Sequence, residues 1–287
     1  MHEEVRATGR EAVELATALL QRARLADPLA GPWEAADVQW RWARPRASDN
    51  SGTLFWLDDE GPVAGVLLTS WANGSWQCDP VLVPGAHGIE PGSLLRRAVA
   101  HASTQSGGEF ELPLNDDGTG LKAPISSYGM TVVRHDSTGW MDAADAPEPM
   151  SLPAGFVIID RTQRRDAPHP MQRRNGDAVE QRLQQCSLYD PWLDLAVETD
   201  EGQLAGYSLF WYDLVTGVGL IEPVRVEDEF QRLGLARAML SHGLARMVTR
   251  GATRLKVSWE SGAAGALYTG LGFRHTDTTT WYRYGPA

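Results

Sequence analysis

The chain has 287 residues, 43% of them hydrophobic, two cysteines and a formal net charge of −11. That length suits two domains better than one, and the apolar content is ample for packed cores. The acidic balance argues against nucleic-acid binding, which needs a basic stripe, and no uninterrupted apolar stretch approaches membrane-spanning length. Cys78 and Cys186 lack metal-ligand spacing and read as buried free thiols in a reducing cytoplasm. The start, MHEEVRATGREAVELATALL, has early acids and no signal-peptide architecture. The expectation is a cytoplasmic protein, monomer or homodimer, with no metal, membrane or nucleic-acid partner.

In chain order, a helix is predicted near 10–26, because Ala12, Leu15, Ala16, Leu19 and Ala23 share one face. Strands follow near 53–58, 62–71 and 76–84, then a helix near 92–104 and strands near 109–114 and 131–141. Residues 141–154, MDAADAPEPMSLPA, are acidic, rich in Pro and Ala, and aperiodic, so they read as a linker. The second half opens with a strand near 155–160 and a helix near 173–186. Strands follow near 193–199, 203–212 and 216–226. A helix after 231, a strand over 254–259 and a short helix from 263 complete the pattern.

The two halves can be laid over each other. Residues 62–68 match 203–209, 81–84 match 220–223, and 128–130 match 271–273, at offsets of 141, 139 and 143. This drift is what loop insertions would leave, so the chain reads as an internal duplication. The division expected is a first domain over 1–145, a linker over 146–154 and a second domain over 155–287.

The most informative stretch is 218–236, VGLIEPVRVEDEFQRLGLA. A strand feeds a small-residue loop that opens a helix with Leu235, Met239, Leu240, Gly243, Leu244 and Met247 on one face. The first turn of a helix has unpaired N–H groups and partial positive charge, so such a loop can hold a phosphate or pyrophosphate. Gly234 and Ala236 have almost no side chain and let a ligand approach the backbone. Small residues also open ordinary helices, so the loop alone leaves both readings open.

At this point the chain resembles the GNAT superfamily of acyl-CoA-dependent N-acyltransferases. Its phosphate loop, (Gln/Arg)-x-x-Gly-x-(Gly/Ala), is matched by Gln231–Ala236, and its late signature, Leu-Tyr-x-x-x-Gly-Phe, by Leu267, Tyr268, Gly272 and Phe273. The close resemblance covers roughly residues 193–284. It implies an α/β (α+β) fold of two GNAT-like domains in tandem. Each would have a mixed, mostly antiparallel sheet with flanking helices. Acetyl-CoA would be the cosubstrate and a small-molecule amine the acceptor. Gln231, Arg232, Leu233, Gly234, Leu235, Ala236 and Arg237 would bind its pyrophosphate. Pro223, Val224, Arg225 and Val226 would pair with the pantetheine arm, because Pro223 removes a ladder donor and suggests a bulge or splayed strand. Ser261 and Ala264 would lie at a later cofactor contact; Ser261 stands where many relatives carry Asn, and its hydroxyl could instead cap a helix.

Glu222 stands at the family's spacing for a general base, which amine acylation needs because amines are mostly protonated at neutral pH. The structural alternative is an acid paired to Arg225. Tyr268 would be the general acid for the departing thiolate; its plain reading is a core aromatic. Trp211, Asp213 and Tyr189 are candidates to shape the acceptor site. In the first half Val83 stands in place of Glu222 and Ile125 in place of Tyr268, while Glu90 and Pro91 spoil the phosphate loop. The second domain is therefore expected to be active and the first structural or substrate-shaping, as in tandem family members with an active C-terminal domain. His87 and His101 read as surface residues, and His169 has no partner evident in sequence. The rivals are a protein or peptide N-acetyltransferase and a non-catalytic acyl-CoA-binding regulator.

Overall fold

The computed structural model describes residues 2–115 and 119–285. The chain packs as two compact units, Met1–Asp136 with Asp277–Ala287, and Ser137–Thr276. These units divide the chain differently from a cut near 145. The first unit closes with the C-terminal segment, and the second opens at Ser137.

The first unit contains β1 (Glu3–Ala7), α1 (Gly9–Ala26), α2 (Ala35–Trp42), β2 (Thr53–Asp58), β3 (Gly61–Ser70), β4 (Trp76–Leu82), α3 (Pro91–Ser106) and β5 (Phe110–Leu114). Its strands lie in the order β1-β2-β3-β4-β5, followed by residues 280–284, which pair antiparallel with β5. Strand β4 pairs parallel with β5 only at Gln77 and Glu111. The core gathers Leu54, Val66, Leu95, Ala98, Phe110 and Leu112. Helix α1 buries Ala16 and Leu19, on the face expected from spacing. His101 is buried, with Nε2 against the Gly52 carbonyl, and burial lowers its pKa. That corrects the surface reading: His101 lies on the inner face of α3.

The second unit receives residues 137–142 of β6 (Thr131–Asp142) and continues through β7 (Phe156–Asp160), α4 (Gln172–Asn175), α5 (Val179–Leu183), β8 (Asp194–Thr199), β9 (Leu204–Asp213) and β10 (Val218–Val226). Then come α6 (Leu235–Arg250), β11 (Arg254–Trp259), α7 (Gly262–Thr269) and β12 (Arg274–Tyr284), whose first residues belong here. The order is β6-β11-β10-β9-β8-β7, with β10 parallel to β11 and the other pairs antiparallel. One helix predicted over 173–186 is two short ones, because Gly176 has φ 88° and ψ 169°. Residues 146–154 form neither helix nor strand. Met150 is pinned to α6, its N–H donating to Ser241 Oγ at 2.8 Å.

Helix α6 packs across β8, β9 and β10. Leu195, Val197, Phe210, Met239, Leu244 and Val257 meet in the core there. The close approach uses Gly243, where a Cβ would lie 2.0–2.3 Å from three atoms of the buried Phe210 ring. Gly243→Ala should therefore lower the melting temperature. Overpacking of this kind costs about 1–3 kcal/mol, more than the roughly 1 kcal/mol that Ala gains over Gly in a helix. Gly262→Ala, where no atom lies within 4 Å of the added carbon, should not lower it. Thermal unfolding of the two variants checks the difference.

Candidate active site

Strand β10 becomes irregular at Glu222. On one side, Ile221 faces Phe210 and Val224 faces Ser208, so Glu222 and Pro223 together stand opposite Leu209. Two residues against one is a β-bulge, which bends the strand and re-aims its side chains. On the other side, β10 pairs with β11 only at Val218, Gly219 and Leu220. Beyond Leu220, β10 runs to Val226 and β11 to Trp259 without pairing to each other. The splay suggested by Pro223 is present, and the Glu222–Pro223 peptide bond is cis.

Glu222 is half-buried on the bulge. The indole N–H of Trp211 donates to its backbone carbonyl at 2.7 Å. Arg225, the alternative partner, has its guanidinium 2.8 Å from Asp228 and 3.7 Å from Glu227. Tyr268 is buried on α7, with its ring 5.9 Å from that of Trp259 and 6.2 Å from that of Phe273. Burial pushes the Tyr268 phenol up, and the charge of Glu222 pushes it further. Base and acid candidates from β10 and α7 therefore sense each other, and the phenol keeps its proton at neutral pH.

The loop after β10 holds two residues with positive φ. Arg232 has φ 65° and Gly234 φ 83°, and α6 begins at Leu235 with no side-chain cap on its first N–H groups. Gln231 is turned back to Asp228 Oδ1 at 3.1 Å, and Leu233 is exposed. Arg237 Nη2 donates to the Gly270 carbonyl at 2.5 Å, tying α6 to the end of α7. Ser261 caps α7, accepting from Ala264 N–H at 3.2 Å.

The corresponding places in the first unit are closed. Val83 and Ile125 are buried. Glu90 caps α3, its carboxylate accepting from Gly92 N–H at 2.9 Å and Ser93 N–H at 2.6 Å. Those backbone bonds hold its pKa below the usual carboxylate range. The first-turn N–H groups of α3 thus already hold an anion.

Of the acceptor-site candidates, Asp213 accepts from Val215 N–H at 2.9 Å in the β9–β10 turn. Trp211 is wholly buried, and Tyr189 donates to Asp194 at 2.7 Å. Sequence reasoning left His169 without a partner; Nε2 lies 2.8 Å from the same carboxylate oxygen of Asp194. Twenty-five residues separate the two, so no local pattern could have joined them. A cavity of about 780 Å³ adjoins this pair, lined also by Asp160, Arg164, Arg173 and Glu198. Arg164 bonds Glu198 and Arg174 bonds Glu227. Among the described residues, no cluster of three or more His, Cys, Asp or Glu could hold a metal ion, and no helix is long and apolar enough to cross a membrane.

Residues 158–273 match the model of the acetyltransferase (GNAT) family. The mycothiol acetyltransferase of Cellulomonas flavigena is 27% identical, covering 82% of this chain and 79% of that protein. That of Kocuria rhizophila is 31% identical, covering 54% of this chain and 59% of that protein. Among solved structures, a tandem GNAT protein from the clavulanic acid biosynthesis pathway superposes with a TM-score of 0.69 at 16% identity, covering 100% of both chains. A GCN5-related N-acetyltransferase from Sphaerobacter thermophilus gives 0.61 at 16% identity, over 98% of this chain and 95% of that one. The mixed sheets with flanking helices, the loop before α6, the Leu267–Phe273 signature and these matches together support a tandem protein of the GNAT superfamily.

Proposed function

We propose that the second unit transfers an acetyl group from acetyl-CoA to the primary amine of a small molecule, with Glu222 as general base and Tyr268 as general acid. The carrying observation is their placement. Glu222 sits where β10 and β11 part, close enough to Tyr268 for its charge to raise the phenol pKa. In this reading the pyrophosphate rests on the uncapped N-terminus of α6, within the loop 231–237. The pantetheine arm pairs with backbone of 223–226 along the parted edge. Two buried polar atoms without hydrogen-bond partners, Ser208 Oγ and Arg225 Nε, lie on the residues flanking the bulge and support a ligand there. The relatives' names support a small-molecule acceptor and leave its identity open.

The chemistry follows from those positions. Glu222 takes a proton from the acceptor ammonium, directly or through water, and the freed amine attacks the thioester carbonyl. The N–C bond forms while the oxygen gains negative charge, which the Val224 N–H is assigned to stabilise. As the carbonyl re-forms and the C–S bond breaks, Tyr268 donates its proton to the departing thiolate, and the second proton lost by the acylated nitrogen returns to the Tyr268 phenolate. Its raised pKa favours the protonated phenol that this step requires. The first unit takes no acyl-CoA in this scheme, because Glu90 fills the cradle and Val83 and Ile125 supply neither base nor acid.

Calorimetry should therefore find one CoA per chain. Gly234→Glu should abolish binding, because it puts bulk and negative charge at a residue with φ 83° in the cradle; two equivalent CoA sites would contradict the assignment. Glu222→Gln should lower kcat/KM by about 10²-fold at neutral pH, with partial recovery at higher pH where more free amine exists. The wild-type rate should rise with pH through an enzyme group, and matching profiles for both proteins would remove Glu222 from the mechanism. Tyr268→Phe should lower kcat by roughly tenfold or more with acetyl-CoA affinity nearly unchanged. Release of free CoA with a panel of amines and peptides checks each rate. No turnover by the wild type would favour an acyl-CoA-binding regulator.

A further inference from the structure

Trp211 is the largest of the fully buried side chains among the described residues. A buried indole needs a partner for its N–H, and this one donates to the carbonyl of Glu222 at 2.7 Å. That carbonyl belongs to the bulge, where two residues of β10 share one partner on β9. An extra residue in a ladder leaves backbone groups unpaired, and the Trp211 side chain satisfies one of them. The bond fixes the backbone from which the Glu222 carboxylate hangs.

Trp211 is itself held. The Tyr189 ring meets it edge-on, with centroids 6.4 Å apart and planes at 61°. The Tyr189 hydroxyl donates to Asp194 Oδ2 at 2.7 Å. His169 Nε2 lies 2.8 Å from the same oxygen. The other ring nitrogen, Nδ1, accepts from Met171 N–H at 3.1 Å, so the proton sits on Nε2 and is donated to Asp194. The His169 and Asp194 side chains are 1% and 2% exposed and line the large cavity beside β8. Burial and the Asp194 charge both push the Tyr189 phenol up, so it keeps the proton it donates.

We infer that Trp211 is a positioning residue for Glu222, and that Tyr189, Asp194 and His169 form the mount that holds Trp211. The inference rests on the reading of Glu222 as the base. It recasts Trp211 and Tyr189, two residues expected to touch the acceptor, as residues that act through Glu222.

A double-mutant cycle tests it, using acetyl-CoA and the fastest primary amine from a panel of glucosamine, cysteine, lysine, spermidine and phenethylamine. Trp211→Phe keeps an aromatic ring and removes the N–H. It should lower kcat about tenfold, the scale on which a slightly misplaced catalytic group is felt, with KM for acetyl-CoA unchanged. In the Glu222→Gln background the same change should cost almost nothing, because no base remains to be placed. A loss that multiplies in the double variant would overturn the inference, as would unchanged kcat in Trp211→Phe beside an impaired Glu222→Gln. If Trp211→Phe does not fold, Tyr189→Phe keeps the ring, deletes the bond to Asp194, and should show a smaller kcat loss that also vanishes in the Glu222→Gln background. Full activity of Glu222→Gln, or a wild type that turns over none of these amines, would overturn the base assignment and this inference together.

Discussion

Backbone hydrogen bonding of β10 is the constraint on which the site depends. Buried N–H and C=O groups must find partners, and a strand inside a mixed sheet normally finds them on both sides. Pro223 has no N–H to offer, and the extra residue at 222–223 breaks the register with β9. Past Leu220 the partnership with β11 also ends. A strand in the middle of its unit thus acquires a free edge without being an edge strand. On the same irregular stretch the Glu222 carbonyl accepts from the Trp211 indole N–H. A regular strand would bury the site shut.

The two helix N-termini at equivalent places of the duplication illustrate divergence by one carboxylate. Both α3 and α6 follow a strand and a loop, and both expose first-turn N–H groups with partial positive charge. In α6 the residue before the helix is Gly234, which brings no side chain to those groups. In α3 it is Glu90, which bonds two of them. The capping carboxylate satisfies the helix end on its own, and a phosphate there would have to displace it. Val83 and Ile125, at the positions that match Glu222 and Tyr268, are buried in the first unit.

Much of this was legible in the sequence where periodicity is strong and turn chemistry is local. The face of α1, the capping glycine after α6 and the break at Pro223 all follow from neighbours a few residues apart. Three elements escaped: β1, α2 and β12. Strand β1 has only five residues, and α2 only eight. Strand β12 carries the polar run Thr276-Asp277-Thr278-Thr279-Thr280, and its pairing with β5 joins residues far apart in the chain. The Tyr189–Asp194–His169 cluster was invisible because His169 lies 25 residues from Asp194 and meets it only in the folded unit. The break at Gly176 was readable, since glycine ends helices, yet the expectation was one helix near 173–186.

The central claim is that the parted strands of the second unit hold the thioester between Glu222 and Tyr268. A crystal structure of the protein with acetyl-CoA tests it most directly. The account predicts one molecule per chain, its pyrophosphate on the N–H groups that open α6 and its sulfur within hydrogen-bonding reach of the Tyr268 hydroxyl. Density for the cofactor along the loop before α3, or a thioester seated away from Glu222 and Tyr268, would contradict it.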